Sequence, residues 1–388
     1  MKNLRIYVPI FNFYPIFGGA EKQAEKIFTE LVKLGVEVHI ITAKQNNNTP
    51  ASEIYKGINI IRLPFIYNGE IQLFKKISSF IFMLEVFLFL VLNRNKYDIL
   101  QNFFIDKYTF ITVLCSILFK KPVIIREANI SKSVKGKENF DKSLIQRLLY
   151  KIYRKSSAII ALTEEIQEEF INIFKFCNNK IHIIPNGVEN FALIEKKDVR
   201  KKLGLKDDAL IGIIAARLDK QKNHIAVFKA WKHLVNNYPD ATLICLGAGQ
   251  EKNYYQTFIN DIDCKDNIIL AGTKNNISEY YQAADFFILP SFYEGMSNAL
   301  LEAMNLGIPC IVSDIRANRF LITNNENGVL FDLDIDDKAL ADLIVNLYKN
   351  RDLLMKLSNN AKIKAKEFSI NSISGIYLEL YKSLLSKN

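Results

Sequence analysis

The chain has 388 residues, 49% of them apolar and 24% charged, which is long and apolar enough for two or three buried cores and excludes a disordered chain. Its five cysteines (Cys115, Cys177, Cys245, Cys264, Cys310) lack C-x-x-C spacing and its four histidines form no cluster, so neither a disulfide framework nor a zinc site is expected and a reducing cytosol fits. The formal net charge of +10 is uneven, residues 1–183 holding 26 Lys and Arg against 16 Asp and Glu and the remainder 25 against 25; an anionic partner, whether nucleic acid, an acidic membrane or a phosphorylated substrate, is expected on the first half alone.

In chain order, strand-like apolar runs alternate with helical stretches. Leu4–Ile10 precedes a helical pattern over Ala20–Leu34, and Val36–Thr42, Ile58–Leu63, Ile99–Phe104, Val123–Ile125 and Ala158–Leu162 follow. The opening run is too short for a signal peptide and reads as a first strand, so export is not expected. Ile77–Leu92 is strongly apolar but only 16 residues long and contains Glu85; a spanning helix needs about 20 apolar residues. A buried core helix is favoured there over a membrane-dipping one. Phe110–Phe119 is shorter still.

Phe140–Lys155 differs in character. On a helix, Leu144, Ile145, Leu148, Leu149 and Ile152 make one face, with Lys142, Arg147, Lys151, Arg154 and Lys155 around it. Ser131–Lys155 holds eight basic residues and two acidic ones, Glu138 and Asp141. Such a segment suits an anionic lipid surface, or is an ordinary surface helix on its sheet.

A break follows at Ile184-Pro185-Asn186-Gly187-Val188, a proline beside an Asn-Gly turn that reads as a hinge before the charged stretch Glu195–Lys202. The alternation then restarts: Leu210–Ala215 before the helical Ile225–Asn236, then Ala241–Leu246, Asn267–Leu270, Phe286–Leu289 and Cys310–Ser313. Strands alternating with helices imply parallel sheets, here an α/β chain of two doubly wound domains.

The residues able to do chemistry cluster at predicted strand ends. Arg217 and Lys222 follow the second domain's first strand, where a guanidinium and an ammonium suit a diphosphate; the alternative is solvated surface cations. Glu294 and Glu302 bracket Gly295-Met296-Ser297-Asn298-Ala299-Leu300-Leu301 directly after Phe286–Leu289 and Pro290. A carboxylate in that turn can hold sugar hydroxyls, Gly295 lets backbone approach an anion, Ser297 can cap the following helix, and its first N–H groups face the anion. Glu302, about two turns into the helix, is placed to accept ribose hydroxyls. The competing account is a solvated acidic pair. Gly247-Ala248-Gly249 permits close approach to a ligand but lacks a third glycine. Gly18-Gly19, with Glu21, puts backbone N–H groups near an anion or forms a plain tight turn.

Together these residues resemble the retaining family 4 glycosyltransferases, of the GT-B fold. The resemblance lies in Gly18-Gly19-Ala20-Glu21, Ile184-Pro185-Asn186-Gly187-Val188, Ala216-Arg217-Leu218 with Lys222-Asn223, and Leu246-Gly247-Ala248-Gly249. The longest block is Leu289-Pro290-Ser291-Phe292-Tyr293-Glu294-Gly295-Met296-Ser297-Asn298-Ala299-Leu300-Leu301-Glu302-Ala303, continued by Gly307-Ile308-Pro309 and Asn327-Gly328. It covers nearly all of the second half and mainly the start of the first.

The resemblance implies two Rossmann-like domains facing a cleft, 1–183 on the acceptor side and 184–365 on the donor side, with 366–388 a terminal helix crossing back to the first. It implies a nucleotide-diphosphate sugar, most often UDP-linked, with Arg217 and Lys222 on the diphosphate, Glu294 on the sugar, Gly295 to Asn298 at the phosphate and Glu302 on ribose. No cofactor and no metal is expected. Where many members carry a histidine, this chain has Ile125-Arg126-Glu127-Ala128-Asn129, so Glu127 is the candidate to orient the sugar or the acceptor hydroxyl; pairing with Arg126 or Arg147 is the alternative. His39, His182, His224 and His233 are read as structural. The D-x-D pattern at Asp332-Leu333-Asp334 precedes a helix starting near Lys338 and reads as helix-start acids rather than a metal site.

The expected activity is sugar transfer to a glycan or polyprenyl-linked acceptor, with the basic first domain against an anionic membrane and the protein peripheral to its cytoplasmic face. Alternatives are an epimerase or phosphorylase of the same fold, or a non-catalytic sugar-nucleotide binder. Nucleic-acid binding, for which Tyr150 and Tyr153 could stack on bases, lacks a recognition motif.

Overall fold

The computed structural model describes residues 4–15, 18–44, 48–64, 72–128 and 144–386. The basic approach loop, with Lys142, Glu138, Asp141 and Asn129, lies outside them. The chain forms two compact units, one of residues 1–187 with 370–388 and the other of residues 188–369.

The first unit is built on β1 (Arg5–Pro9), β2 (Glu37–Lys44), β3 (Ser52–Tyr55), β4 (Ile58–Pro64), β5 (Ile99–Asn102), β6 (Val123–Glu127), β7 (Ala158–Ala161) and β8 (Ile181–Ile183). Their order is β3-β4-β2-β1-β5-β6-β7-β8, parallel except for the antiparallel β3–β4 pair. All four residues of β7 are buried, as expected where helices cover both faces of a parallel sheet.

Helix Gly19–Lys33 buries Ala24, Ile27, Phe28 and Leu31, the spacing of one helical face. Helix Ile370–Ser386 packs beside it and adds Ile373, Tyr377, Leu380, Tyr381 and Leu384 to the same core. The Tyr381 hydroxyl donates to Gln101 Oε1 within that core. The terminal helix is therefore part of the first unit, although the whole second unit precedes it in sequence. Arg126 is also enclosed here: its guanidinium lies 4.1 Å from the Phe103 ring centre and donates to Asn186 Oδ1, and burial pulls its pKa down from the ordinary arginine value.

The second unit contains β9 (Ile211–Ala215), β10 (Thr242–Leu246), β11 (Ile268–Gly272), β12 (Phe286–Leu289), β13 (Cys310–Ser313) and β14 (Val329–Phe331). They run parallel in the order β11-β10-β9-β12-β13-β14, the dinucleotide-fold arrangement with its direction of winding reversed between β9 and β12. Helix His224–Val235 seats Trp231, 0% exposed, over β9. Gly212 makes room for it, since a Cβ there would lie 2.6 Å from the indole.

The short strands β3, β8 and β14, three or four residues long at sheet edges, add to the runs expected from sequence. Two expectations are corrected. The apolar segment ending at Leu92 is not simply a core helix: in Gln72–Leu92, Phe82, Val86 and Leu90 are buried but Phe80, Leu84, Leu88 and Leu92 are exposed. In helix Leu144–Tyr153, Leu148 is likewise exposed, while Tyr153 is buried and Tyr150 stacks on Phe174 at 4.1 Å, so these rings pack inside the unit rather than offering a base platform.

Tyr377 is fully buried and its helix neighbour Ile376 is 46% exposed. Tyr377→Ala is expected to lower the unfolding free energy by about 3–5 kcal/mol, and Ile376→Ala by under about 0.5 kcal/mol; urea unfolding of both variants checks the pair.

Candidate functional site

Because β9 and β12 are sheet neighbours, the segments leaving their carboxyl ends start side by side. β9 leads through Arg217 into a 3-10 turn, Lys220–Lys222, capped by Asp219, whose carboxylate accepts from the Lys222 N–H at 3.2 Å. β12 leads through Pro290 into the turn carrying Glu294, and Ser297 caps helix Asn298–Leu306 by accepting the Leu300 N–H at 3.2 Å.

The two segments meet at one contact. Lys222 Nζ lies 2.6 Å from Glu294 Oε1, and the Ser291 hydroxyl donates to the same oxygen at 2.6 Å. The two charged side chains are only 14% and 7% exposed, so they attract each other with little solvent screening. Ser291 is held in turn: its carbonyl accepts from the Ser313 hydroxyl at 2.6 Å, and Asn318 Nδ2 donates to the Ser313 carbonyl at 2.8 Å. A second link runs through Gln221. Phe292 N–H donates to the Gln221 carbonyl at 3.0 Å and Gln221 Nε2 donates to the Tyr293 carbonyl at 2.8 Å.

Arg217 belongs to the same strand end but is held loosely, 70% exposed and 3.1 Å from Asp219. Glu302 lies inside the helix that Ser297 caps, its Oε2 accepting from the buried Tyr281 hydroxyl at 3.4 Å. Gly295 and Met296 are buried in the turn before the cap. The expected donor residues Arg217, Lys222, Glu294, Ser297 and Asn298 thus collect at one reversal point of one sheet.

Gly247 and Gly249 have a different local reason. A Cβ on Gly247, at φ +134°, would stand 2.1 Å from the Ala216 carbonyl oxygen, and one on Gly249 would stand 2.2 Å from that of Leu218. What these glycines admit is the backbone of the Arg217 loop, which Leu218 N–H and Glu251 N–H bonds at 3.1 and 3.0 Å bind to the Gly247–Glu251 turn.

Gly18, Gly19 and Glu127 belong to the first unit. Gly18 is the extended N-cap of helix Gly19–Lys33, with Glu21 in its first turn, and the space where a Gly19 Cβ would sit is open. Glu127 ends β6, its Oε1 accepting from the Ala128 N–H at 3.0 Å. The Arg126 guanidinium is directed to Asn186 and Phe103. In the second unit Asp336 caps helix Asp337–Lys349 by accepting from the Lys338 and Ala339 N–H groups.

Gln221 and the structural role of Ser291 and Asn318 escaped the sequence reading. A serine three residues before Glu294 was the available signal for Ser291; Gln221 gave none, since its partner is 72 residues away in sequence. His224, read as structural, is fully buried beside Tyr255 and Phe228 with both ring nitrogens lacking a hydrogen-bond partner among the described residues. Burial, with the charge of Lys222 adding to it, pulls its pKa down to about 4.

Residues 17–190 match a family model described as Glycosyltransferase Family 4, and residues 195–364 one described as Glycosyl transferases group 1. The chain is 34% identical over 242 residues to the UDP-Gal:alpha-D-GlcNAc-diphosphoundecaprenol alpha-1,3-galactosyltransferase of Escherichia coli, covering 58% of this chain and 61% of that one. It is 25% identical over 267 residues, 68% of this chain and 71% of the other, to the N-acetylgalactosamine-N,N'-diacetylbacillosaminyl-diphospho-undecaprenol 4-alpha-N-acetylgalactosaminyltransferase of Campylobacter jejuni. A crystal structure of an Anabaena protein in complex with UDP and glucose superposes with a TM-score of 0.78 at 16% identity, over 98% of this chain and 100% of that chain. The fold so shared is GT-B.

Gly247→Ala combines a left-handed backbone with a clash and is expected to destabilise by more than about 2 kcal/mol, whereas Gly19→Ala, in open space, changes stability by under about 1 kcal/mol; thermal unfolding compares them. For His224 the folded pKa lies below the unfolded one, so its contribution is present above pH 6.5 and is lost as pH falls towards about 4. The stability difference between wild type and His224→Phe should therefore shift against wild type by on the order of 3 kcal/mol across that window, measured by urea unfolding at each pH.

Proposed function

The chain belongs to the family 4 glycosyltransferases, and from that premise we propose that it moves a sugar from a nucleotide-diphosphate donor, UDP-linked, to a lipid-linked or glycan acceptor at the cytoplasmic face of a membrane. Configuration at the anomeric carbon is retained and no metal takes part. The observation that carries this reading is the Lys222–Glu294 contact at the winding reversal of the second sheet.

The donor's diphosphate competes with Glu294 for the Lys222 ammonium, and Arg217, exposed and held by Asp219 and Gln221, swings onto the same group. Glu294 is thereby released to take sugar hydroxyls, the Gly295 to Asn298 backbone meets the phosphate, and Glu302 takes ribose. The acceptor hydroxyl oxygen bonds to the anomeric carbon on the face from which the diphosphate leaves. The carbon–oxygen electron pair departs with the diphosphate, whose oxygen receives the acceptor's proton. Lys222 and Arg217 stabilise the charge growing on that leaving group, an interaction strongest in the transition state. Gly247 and Gly249 shape the donor pocket, Gly18 and Gly19 offer helix-start N–H groups, and Glu127 orients the acceptor hydroxyl or the sugar.

The Escherichia coli and Campylobacter jejuni relatives, both named for diphosphoundecaprenol-linked acceptors, support the acceptor class. The first of them also supports a UDP-sugar donor. The basic first half of the chain suits an acceptor and a membrane that carry phosphate; nucleic acid is not the anion intended.

A panel of UDP-, GDP- and ADP-sugars should raise the melting temperature with the UDP-sugars alone, since a ligand that binds only folded protein stabilises it. Glu294→Gln and Lys222→Ala should each lower turnover by about a hundredfold or more while retaining native circular dichroism. Lys222→Ala leaves a buried carboxylate unpaired, so the double variant Lys222→Ala/Glu294→Gln serves as its folded control. Turnover at the wild-type level in either single variant removes that residue from its role, and donor consumption without acceptor replaces transfer by epimerisation or phosphorolysis.

A further inference from the structure

Three neighbouring helices of the first unit, Gln72–Leu92, Lys107–Phe119 and Leu144–Tyr153, pack in sequence, the second touching both others. Among their residues one is acidic, Glu85. Phe80, Leu84, Leu88 and Leu92 are 67%, 50%, 49% and 78% exposed, and their four-residue spacing sets them along one side of the first helix, opposite Phe82, Val86 and Leu90, which face the core. Ile117 and Leu118 at the end of the second helix and Leu148 on the third are exposed as well. Water-facing leucines in a single row, rather than scattered, mark a surface that something covers.

The charges say what covers it. Exposed Arg94 and Lys96 follow the first helix, Lys120 follows the second, and Arg147 and Lys151 stand on the third. A second copy docked through the same face would bring these cations against their own images, because a two-fold interface pairs a patch with itself. A partner that is apolar within and anionic at its boundary meets both requirements. No helix among the described residues is long and apolar enough to cross a membrane, so a helix lying in the interface plane is the geometry that remains for this row.

We propose that this face inserts the Phe80, Leu84, Leu88 and Leu92 row into the acyl boundary of an anionic bilayer, with the flanking cations at the phosphate level. This rests on the reading that the protein works at a membrane and names the side chains that hold it there. Glu85 is compatible with such a setting. Its Oε2 is buried without a hydrogen-bond partner among the described residues, and burial already raises its pKa, so the single acid of the three helices gives up its charge more readily than a solvated one.

Vesicle sedimentation of the full chain tests the proposal, using phosphatidylcholine with and without phosphatidylglycerol. Wild type should pellet with the anionic vesicles, and Leu84→Gln/Leu88→Gln should reduce the partition coefficient about tenfold or more with an unchanged melting temperature, both side chains being half in water already. Trp231, the single tryptophan, is fully buried in the second unit, so wild-type fluorescence should not respond to bromine-labelled acyl chains, while Leu84→Trp should add emission that they quench. Equal binding of the double variant and wild type, no quenching in Leu84→Trp, or a dimer that the double variant abolishes would each overturn it. Transfer to a water-soluble acceptor, assayed separately, reports on the catalytic reading whichever way the vesicle result falls.

Discussion

The second unit depends on one topological constraint: β9 and β12 lie next to each other although two strands and their helices separate them in sequence. Winding away from β9 on one side and returning to β12 on the other leaves the carboxyl ends of these two strands without a crossover helix between them, and that is where an open parallel sheet can receive a ligand. The meeting of Lys222 and Glu294 follows from this reversal. The 3-10 turn supplies an ammonium from one strand end, and the capped helix start supplies a carboxylate and an N-terminal dipole from the other.

Within that frame the Lys222–Glu294 pair is held from several directions. A buried ion pair gains little net stability, because desolvating both charges offsets most of their attraction, but it is costly to break on one side only. The chain from Asn318 through Ser313 and Ser291 fixes the carboxylate, while Gln221 ties the two loops together through its carbonyl and its side-chain amide. Close passage of the Gly247–Glu251 turn behind Arg217 completes the wall. Glu294 is enclosed and held from several sides, whereas Arg217 is largely in solvent.

Much of this was legible beforehand. β9, β12 and β13 are continuous apolar runs because both faces of the sheet are covered, and such runs stand out in any window of sequence. Ser297 announced its helix by residue type and position. The unread parts share a cause: they depend on a partner distant in sequence. Lys222 and Glu294 are 72 positions apart, Gln221 has an unremarkable identity, and the glycines at 247 and 249 serve neighbouring backbone that no local pattern names. The helix ending at Leu92 shows the same limit from the other side. Its composition is apolar all round, so periodicity carried no sign of which face the core would take.

The placement of helix Ile370–Ser386 in the first unit's core bears on how the molecule is made. A ribosome releases residues 188–369 before it releases the segment that covers helix Gly19–Lys33. The half begun first is therefore finished last, and its uncovered apolar side must wait through the emergence of an entire independent sheet. Nascent chains of this design have a built-in window in which chaperones find a binding surface.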